Sequence, residues 1–399
     1  MDGTPATMNG RDALASYLMN FTPTDEQSMA VEAWRRVLER DVRPITERHH
    51  DAPFPKEILK GLLSLASQYG VGSGWVPEDG GGMGLDFVSS GLMYQELARV
   101  SADLAGAAFV NEGAALKVFN AGSPQLKERY LKDTIAGKLI GCSAISEPNV
   151  GSHVRGMQTR AVRDGDSYRI TGEKLWISNS AVADYVVLVA ATGDQEFTMF
   201  LVDRKEHGFR TVEVEKLGLN GWSLGQIILE DVVVPATNIM GKLGGGLRET
   251  MKGFERSRCF ISLVALGLGQ ASLEASISYA KERVQFGKPI GAHQLVQQLI
   301  AEMATELDAS RLMVFRALSL LDQNIGSNIE AAMAKVFTTE AVQRITSKAI
   351  QVHGAFGISK EFPVERYFRS ARLLTIPDGT TQINNLVIGR NLLGLDAFA

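Results

Sequence analysis

Acid–base chemistry is available in a short segment near the C-terminus of this 399-residue chain, residues 376–382. Its aspartate, Asp378, carries a carboxylate that can act as a general base if an apolar pocket raises its pKa toward neutrality. The Pro-Asp-Gly sequence around it is typical of a turn, and Thr380 or Thr381 could cap the helix that follows. Taken alone, the segment therefore predicts a turn that presents one carboxylate.

Hydroxyl, indole and guanidinium groups occur in further segments that also have plain structural interpretations. Residues 142–152 predict a buried strand that runs into a Pro/Gly turn. Residues 172–179 predict a strand with an outward lysine and an inward tryptophan. Residues 279–290 predict a helix that ends at Gly287, before a proline. None of these patterns identifies a reaction by itself.

Other familiar kinds of site find no support in the sequence. The six histidines are scattered, so no metal site is expected. The glycine runs at 80–84 and 244–246 match neither GxGxxG nor GxxxxGK[ST] and are interpreted as turns. The GxSxG elbow of serine hydrolases is absent. A formal net charge of -4 argues against a nucleic-acid partner.

Taken together, and in this order from about Thr24 to Gly394, the segments resemble the acyl-CoA dehydrogenase family, whose cofactor is FAD. The resemblance implies that Ser146, Trp176 and Ser178 contact the flavin, where an aromatic wall excludes water and a hydroxyl stabilises charge near N5. The remaining residues that the resemblance assigns to FAD are Ser152, Arg283, Phe286, Gln294, Gln351, Gly354, Thr380 and Gln382.

Several of these FAD-binding residues are expected to serve a neighbouring subunit. By the resemblance, Arg283, Phe286 and Gln294 reach the FAD of that subunit, and Arg283 pairs with the pyrophosphate through its planar guanidinium. The segment 351–357 resembles the family's approach to the adenosine side, although Ala355 replaces a glycine there. Oligomerisation, as a dimer or a tetramer, is then part of the cofactor site.

The same resemblance assigns Asp378 the role of catalytic base, where the family normally has a glutamate. In that reaction the base removes the α-proton of an acyl thioester while the β-hydrogen leaves as hydride to flavin N5. The resemblance places four residues at the substrate: Ser152, Glu255, Arg258 and Gly379. Some family members carry their base at an alternative helix position, which here is Ser257 and cannot act as a base unaided.

An aspartate reaches about 1.5 Å less far than a glutamate, one covalent bond length. A misplacement of that size costs on the order of 100-fold in rate unless the substrate meets the base. We therefore predict an acyl group that is cyclic, bulky or branched near the α-carbon. Ala105 replaces the arginine that holds a distal carboxylate in glutaryl-CoA dehydrogenases, which disfavours decarboxylation, and His153 replaces a usual aspartate.

Three alternatives to this function remain open from the sequence. The thioester could belong to an acyl carrier protein rather than to CoA. The chain could instead be a flavin oxidase similar to nitroalkane oxidases, which also use aspartate. It could also be a catalytically degenerate partner subunit, although the hydroxyl, tryptophan and arginine positions argue against that. For the enzyme, an electron-transferring flavoprotein is the expected electron acceptor.

The hydrophobic periodicity along the chain predicts an α, β, α arrangement of the elements that carry these residues. We predict an α+β fold with an N-terminal arm at 1–23, an N-terminal α-helical domain at 24–137 and a middle β-barrel or sandwich domain at 138–243. Residues 244–399 are predicted to form a C-terminal four-helix-bundle domain. A capping box at Thr24 marks the first helix.

The composition fits a protein of a reducing compartment. Its two cysteines, Cys142 and Cys259, are far apart in the sequence, which argues against a disulfide framework. Residues 1–20 match neither a signal peptide nor a transit peptide. No stretch of roughly 20 apolar residues suggests a membrane span. A cytoplasmic protein without a membrane partner is expected.

Overall fold

The computed structural model of the chain describes residues 22–395 and 397. Most of the predicted N-terminal arm, residues 1–21, lies outside the described residues. Within them, a helical block, a sheet and a second helical block follow one another along the chain. This arrangement confirms the predicted fold class and the order α, β, α.

The first helical block begins at the predicted capping box. Thr24 Oγ1 accepts a hydrogen bond from the Gln27 amide at 3.1 Å, and the Thr24 amide donates to Gln27 Oε1 at 3.0 Å. A π-helical turn, Lys127–Leu131, lies between the last two α-helical segments of this block. The α-helices of this block are Asp25–Val37, Arg43–Thr46, Lys56–Ser67, Phe87–Val100, Ala102–Ala121, Pro124–Leu126 and Lys132–Ile135.

An eight-stranded mixed sheet forms the middle block. The strands are β1 (Gly141–Ala144), β2 (Arg160–Asp164), β3 (Ser167–Ser178), β4 (Tyr185–Gly193), β5 (Glu196–Asp203), β6 (Arg210–Glu213), β7 (Leu224–Pro235) and β8 (Ile239–Met240). Their order is β6-β7-β3-β2-β4-β5-β8, and β1 pairs in parallel with β4. The strand predicted over residues 172–179 is the second half of β3.

Long helices dominate the second helical block. The helix Phe254–Glu282 packs against Gln294–Asp322 and Asn328–His353, and also against Phe87–Val100 from the first block. One apolar core therefore runs through both helical blocks. The shorter α-helices of the second block are Gly246–Met251, Val364–Leu373 and Thr381–Leu393, besides a four-residue helix, Arg204–His207, that lies between two strands of the sheet.

The helix predicted to end at Gly287 ends at Glu282. A two-stranded hairpin follows it, in which Val284–Gln285 (β9) pairs antiparallel with Lys288–Pro289 (β10). The two residues of its turn, Phe286 and Gly287, have φ of 53° and 77°, which matches the left-handed geometry that tight hairpins favour. This turn projects Phe286 outward, and the residue is 95% exposed.

One helical segment among the described residues has the length and apolar composition of a membrane span. The segment Gly246–Glu282 contains an 18-residue window with a mean hydropathy of 1.5, which is apolar and long enough to cross a membrane by composition alone. Within the fold, 78% of that window is buried. Burial against other helices accounts for its apolar composition.

Candidate active site

The segment around Asp378 forms the predicted turn between the helices Val364–Leu373 and Thr381–Leu393. Thr380 caps the second of these helices, since its hydroxyl accepts a hydrogen bond from the Ile383 amide at 3.3 Å. Asp378 has φ of 55°, so this residue occupies the left-handed region that L-residues rarely adopt. Such a conformation persists only where neighbouring contacts impose it.

Two buried side chains hold this turn in place. Lys335, from the helix Asn328–His353, donates from Nζ to the Thr375 carbonyl at 2.7 Å and to the Gly379 carbonyl at 2.8 Å. Asn384 donates from Nδ2 to the same Gly379 carbonyl at 2.7 Å. Both residues are fully buried. The sequence patterns did not single out either residue, because its partners are brought to it only by the fold.

The carboxylate of Asp378 is half-buried and electrostatically coupled to several groups. Desolvation raises its pKa above the ordinary aspartate value, while a hydrogen bond from Ser257 and the charges of Lys335, Arg258 and Lys117 lower it. The net direction is upward because burial outweighs the hydroxyl and the three cations. A raised pKa is what a carboxylate needs to serve as an effective base.

From the start of the helix Phe254–Glu282, Ser257 donates a hydrogen bond to this carboxylate, and the positive charge of Arg258 acts on it. The Arg258 side chain is buried and donates from Nη1 to Asn328 Oδ1 at 2.6 Å, and burial lowers its pKa. Glu255, one turn away, accepts a hydrogen bond from Ser327 at 3.4 Å. The structure thus brings Asp378, Gly379 and Arg258 together, and it adds Ser257 as a direct partner of the carboxylate.

A second group of predicted residues lies where β1 and β3 meet. The Ser146 hydroxyl donates to the Leu175 carbonyl at 2.6 Å, and the Leu175 amide donates back to the Ser146 carbonyl at 3.0 Å. Ser146 is therefore tied to the backbone next to Trp176, two residues before Ser178. One indole and two hydroxyls lie close together in the fold.

The orientation predicted for β3 is reversed. Lys174 is fully buried, and Trp176 is 56% exposed with φ of 65°. The cause is a buried ion pair: Lys174 Nζ donates to Glu147 Oε1 at 2.9 Å and to the Ile145 carbonyl at 3.0 Å. A shift in the pairing of β3 with β7, between Lys174 and Ile177, then turns the tryptophan outward.

The third group lies on an exposed surface near the hairpin. The Arg283 guanidinium lies 5.6 Å from the ring centre of Phe356, and the rings of Phe286 and His293 are 6.0 Å apart. Gln294 begins the next long helix, whereas Gln351 and Gly354 lie at the end of Asn328–His353. A cleft of ≈ 380 Å³ lies beside Arg283. Within residues 22–395, no hydrogen bond or ring contact links this surface to Asp378 or Trp176.

Two further predicted residues are exposed. Ser152 lies in the loop after β1, and Gln382 lies in the first turn of Thr381–Leu393. Neither makes a described contact with the Asp378 carboxylate. Their assignment to the cofactor or the substrate stays a prediction.

These groups fit FAD on grounds of shape and chemistry. The outward indole of Trp176 offers an apolar face for a flat aromatic ring, and two hydroxyls adjoin it. The exposed guanidinium of Arg283 offers a planar partner for a phosphate.

Matches to protein-family models show which family this chain belongs to. The N-terminal, middle and C-terminal domains of acyl-CoA dehydrogenases match residues 24–138, 142–232 and 244–393. This chain belongs to the acyl-CoA dehydrogenase family. Membership confirms the predicted class of enzyme, an oxidoreductase acting on CH–CH donors, and its cofactor, FAD.

Curated acyl-CoA dehydrogenase relatives cover nearly the whole chain. A probable acyl-CoA dehydrogenase of Bacillus subtilis, YngJ, is 37% identical over 94% of this chain and 100% of its own length. The CarC subunit of the caffeyl-CoA reductase-Etf complex of Acetobacterium woodii is 37% identical over 88% of this chain and 93% of its own length. A cyclohex-1-ene-1-carbonyl-CoA dehydrogenase of Syntrophus aciditrophicus is 35% identical over 93% of this chain and 90% of its own length.

Solved structures of acyl-CoA dehydrogenases share the fold. Butyryl-CoA dehydrogenase of Megasphaera elsdenii has a TM-score of 0.88 at 30% identity and covers 94% of this chain and 100% of its own. A glutaryl-CoA dehydrogenase of Mycobacterium smegmatis in complex with FADH2 has a TM-score of 0.89 at 27% identity, with coverage of 94% and 97%.

Proposed function

We propose that this chain catalyses the FAD-dependent α,β-dehydrogenation of an acyl-CoA thioester, with Asp378 as the base that removes the α-proton. The observation that carries the proposal is the turn at Asp378, which Lys335 and Asn384 hold in place. The backbone of Asp378 is in the left-handed region, and burial raises the pKa of its carboxylate. A fixed carboxylate of this kind has the orientation and proton affinity that the step requires.

The residues around Asp378 divide the remaining tasks. The backbone amide of Asp378 donates no hydrogen bond to another protein group within residues 22–395, so it is available to polarise a thioester carbonyl. Arg258 and Ser257 stabilise the charged carboxylate and orient it. Gly379, with φ of 90°, lets the chain turn away immediately after the base.

FAD supplies the hydride acceptor when it is bound. Trp176 would cover its ring and exclude water from it, and the Ser178 hydroxyl would donate to its polar edge. The Ser146 hydroxyl, which donates its proton to the Leu175 carbonyl, would adjoin the ring as an acceptor. Arg283, Phe286, Gln294, Gln351 and Gly354 would contact the FAD of a neighbouring subunit. The residues around Trp176 and those around Arg283 lie on two separate surfaces, which supports the assignment of one set to the chain's own FAD and of the other to a neighbour's FAD.

The acyl group that we propose is cyclic or branched near its α-carbon. The shorter reach of Asp378 requires a substrate whose α-hydrogen lies nearer to the base than a straight chain would place it. Similarity to a cyclohex-1-ene-1-carbonyl-CoA dehydrogenase supports a ring. A carrier-protein thioester remains the alternative to CoA at the distal end.

We also propose a homo-oligomer, a tetramer or a dimer, that passes electrons to an electron-transferring flavoprotein in the cytoplasm. Exposed apolar side chains such as Phe286, Leu295 and Ile358 support an interface between subunits. The similarity to a subunit of a caffeyl-CoA reductase-Etf complex supports the electron acceptor. Both cysteines are free and buried, in keeping with a reducing compartment.

The decisive experiment is anaerobic bleaching of the bound flavin by a panel of acyl-CoA thioesters of varied ring size and branching. With the best substrate, Asp378→Asn should lose at least about 1,000-fold in the bleaching rate, because an amide cannot accept the proton. Asp378→Glu is the matched control, since it keeps a base but moves it by about 1.5 Å. It should retain part of the rate and shift the preference toward straight acyl chains.

Three outcomes would count against the proposal. If Asp378→Asn bleaches the flavin at the wild-type rate, Asp378 is not the base. Rapid reoxidation of the reduced enzyme by oxygen, with reduction by nitroalkanes and not by thioesters, would point to an oxidase. If the protein binds FAD but no substrate reduces it, the chain is a catalytically inactive partner subunit.

A further inference from the structure

Lys174 joins the segment that carries Ser146 to the strand that carries Trp176. Its side chain is fully buried, and Nζ donates hydrogen bonds to the Ile145 carbonyl at 3.0 Å and to Glu147 Oε1 at 2.9 Å. These two acceptors belong to the residues on either side of Ser146 in the sequence. One buried lysine therefore ties both neighbours of Ser146 to β3.

The carboxylate of Glu147 is also held from a third segment. Its oxygens accept hydrogen bonds from the backbone amides of Gln158 at 2.6 Å and Thr159 at 3.0 Å. That segment comes close to β3 at Gly172, where an added Cβ atom would lie 2.6 Å from Thr159 Oγ1. The Glu147 side chain is 4% exposed. The ion pair is therefore fixed at both of its ends.

The backbone of Leu175, the next residue on β3, bonds to Ser146. The Leu175 amide donates to the Ser146 carbonyl at 3.0 Å, and the Leu175 carbonyl accepts from the Ser146 hydroxyl at 2.6 Å. Among the residues that the structure describes, neither Leu175 nor Trp176 has a register partner on β7. Ser146 thus bonds to β3 at the place where β3 and β7 lose their register.

A bulge at this place sets the direction of Trp176. β3 pairs with β7 at Lys174, opposite Ile227, and next at Ile177, opposite Gly225. Two residues of β3 therefore stand against one residue of β7, which is a β-bulge. Beyond it the alternation of faces is shifted by one residue, so Ile177 is buried and Trp176 is 56% exposed. In a regular strand, Trp176 would share the inward face of Lys174, two positions earlier.

Stability gives little reason for a buried ion pair at this place. Taking two charges out of water costs about as much free energy as their attraction returns, so apolar residues of similar volume are often equally stable. A buried polar pair can instead impose one register on a segment that has an alternative. Here the alternative is the regular strand, which would turn the indole inward.

We propose that Lys174 and Glu147 are positioning residues for the flavin, because their ion pair imposes the bulge that turns Trp176 outward and fixes Ser146 beside it. Neither charged side chain would touch FAD, and the inference rests on the proposed function. The indole face and the Ser146 hydroxyl are then in place before the cofactor binds, so that binding does not have to order them.

Tryptophan fluorescence of the full chain, before FAD is added, follows this placement without catalysis. Trp176 is 56% exposed, whereas the other three tryptophans, Trp34, Trp75 and Trp222, are at most 8% exposed. Iodide should therefore quench mainly Trp176. The variant Trp176→Phe identifies the share of the emission that this residue contributes.

The double variant Lys174→Met/Glu147→Gln breaks the pair without leaving an unpaired charge in the interior. It should lose the iodide-quenched share of Trp176, because the regular strand buries the indole. In a titration with FAD, its Kd should rise about 10-fold, since the flavin contacts are no longer preformed. At saturating acyl-CoA, flavin bleaching should slow on the order of 100-fold. Binding of the thioester itself should change little, since the turn of Asp378 is left intact.

Arg169→Met is the matched control on the same strand. The Arg169 guanidinium is exposed and pairs with Asp164 at 2.8 Å and Asp231 at 2.5 Å. Because this pair is exposed and lies before the bulge, its loss should leave iodide quenching, FAD affinity and the bleaching rate at their wild-type values.

The outcomes separate this inference from the proposed function. If no acyl-CoA thioester bleaches the wild-type flavin, the proposed function fails. If the wild type is bleached and the double variant keeps the wild-type iodide quenching or the wild-type bleaching rate, only this inference fails. If the double variant does not fold, as judged by circular dichroism, the pair serves the fold as a whole, and the inference fails as well.

Discussion

Asp378 lies between opposing influences on its charge. Burial favours the protonated acid, whereas the Ser257 hydroxyl and the cations Lys335, Arg258 and Lys117 favour the carboxylate. The result is a pKa above that of an ordinary aspartate. Because the base must be deprotonated to act, its activity falls as the pH drops through this raised pKa. Substitutions that leave Asp378 intact can therefore change the pH profile of the enzyme.

Ser257→Ala tests this balance directly. The serine lowers the pKa of Asp378, so removing its hydroxyl should raise that pKa further. The acid limb of kcat/KM should move to higher pH, and the plateau at high pH should change little. A uniform loss at every pH would mean that Ser257 positions the substrate or the helix and does not tune the base.

Backbone strain marks several of the proposed functional residues. Trp176, Phe286 and Asp378 all have positive φ, at 65°, 53° and 55°. Bulky residues rarely adopt this region. At Phe286 the tight hairpin turn imposes it, whereas at Trp176 and Asp378 it goes with a shift in strand pairing and with buried side chains that hold the turn. The three side chains are thereby held in directions that an ordinary strand or helix would not give them.

At the scale of elements, the turn that carries Asp378 depends on a neighbouring helix. Lys335→Met removes both hydrogen bonds to the turn and leaves the carbonyls of Thr375 and Gly379 without that donor. We expect the free energy of unfolding to fall by about 2–4 kcal/mol and flavin bleaching to drop sharply. Chemical denaturation and stopped-flow bleaching measure the two effects.

Arg344→Met, on the exposed side of the same helix, is the matched control for Lys335→Met. Its guanidinium is half exposed and pairs with Glu306, so its loss should change stability by less than about 1 kcal/mol. Equal losses in the two variants would mean that Lys335 serves the helix in general and not the Asp378 turn.

Elements that depend on local sequence were predictable. The capping box at Thr24 and the Thr380 cap both form as predicted, because each needs only residues three positions apart. The outward tryptophan on β3 was not predictable, since the pair that reverses the strand joins residues 27 positions apart. Lys335 escaped notice for the same reason: its Gly379 partner lies 44 positions away. Tertiary contacts override local periodicity at both places.

Several large apolar side chains are exposed on the described surface of the whole molecule. Phe286, Leu295, Ile358 and Leu393 are 95%, 76%, 76% and 72% exposed. These side chains support the proposed interface between subunits. Two of the four, Phe286 and Leu295, lie at the hairpin or at the start of the following helix, beside the surface that is proposed to serve a neighbouring FAD.

Phe286→Ser tests that assembly. We expect a shift to smaller oligomers by light scattering and a loss of FAD on dilution, because the same surface is proposed to form the interface and to contact the cofactor. Val162→Ser is the control, since Val162 is 63% exposed on β2, away from this surface. Unchanged oligomer size and FAD content in Phe286→Ser would place the interface elsewhere.

The helix Asn328–His353 connects features that lie far apart in the proposed assembly. Lys335, near its beginning, holds the turn of the base, and Gln351, near its end, lies on the surface proposed for a neighbour's cofactor. The 16 residue steps from Lys335 to Gln351 span about 24 Å of rigid rod. In the oligomer, a displacement of this rod at one catalytic centre would be transmitted mechanically to another. The subunits would then turn over in communication with one another and not as independent units.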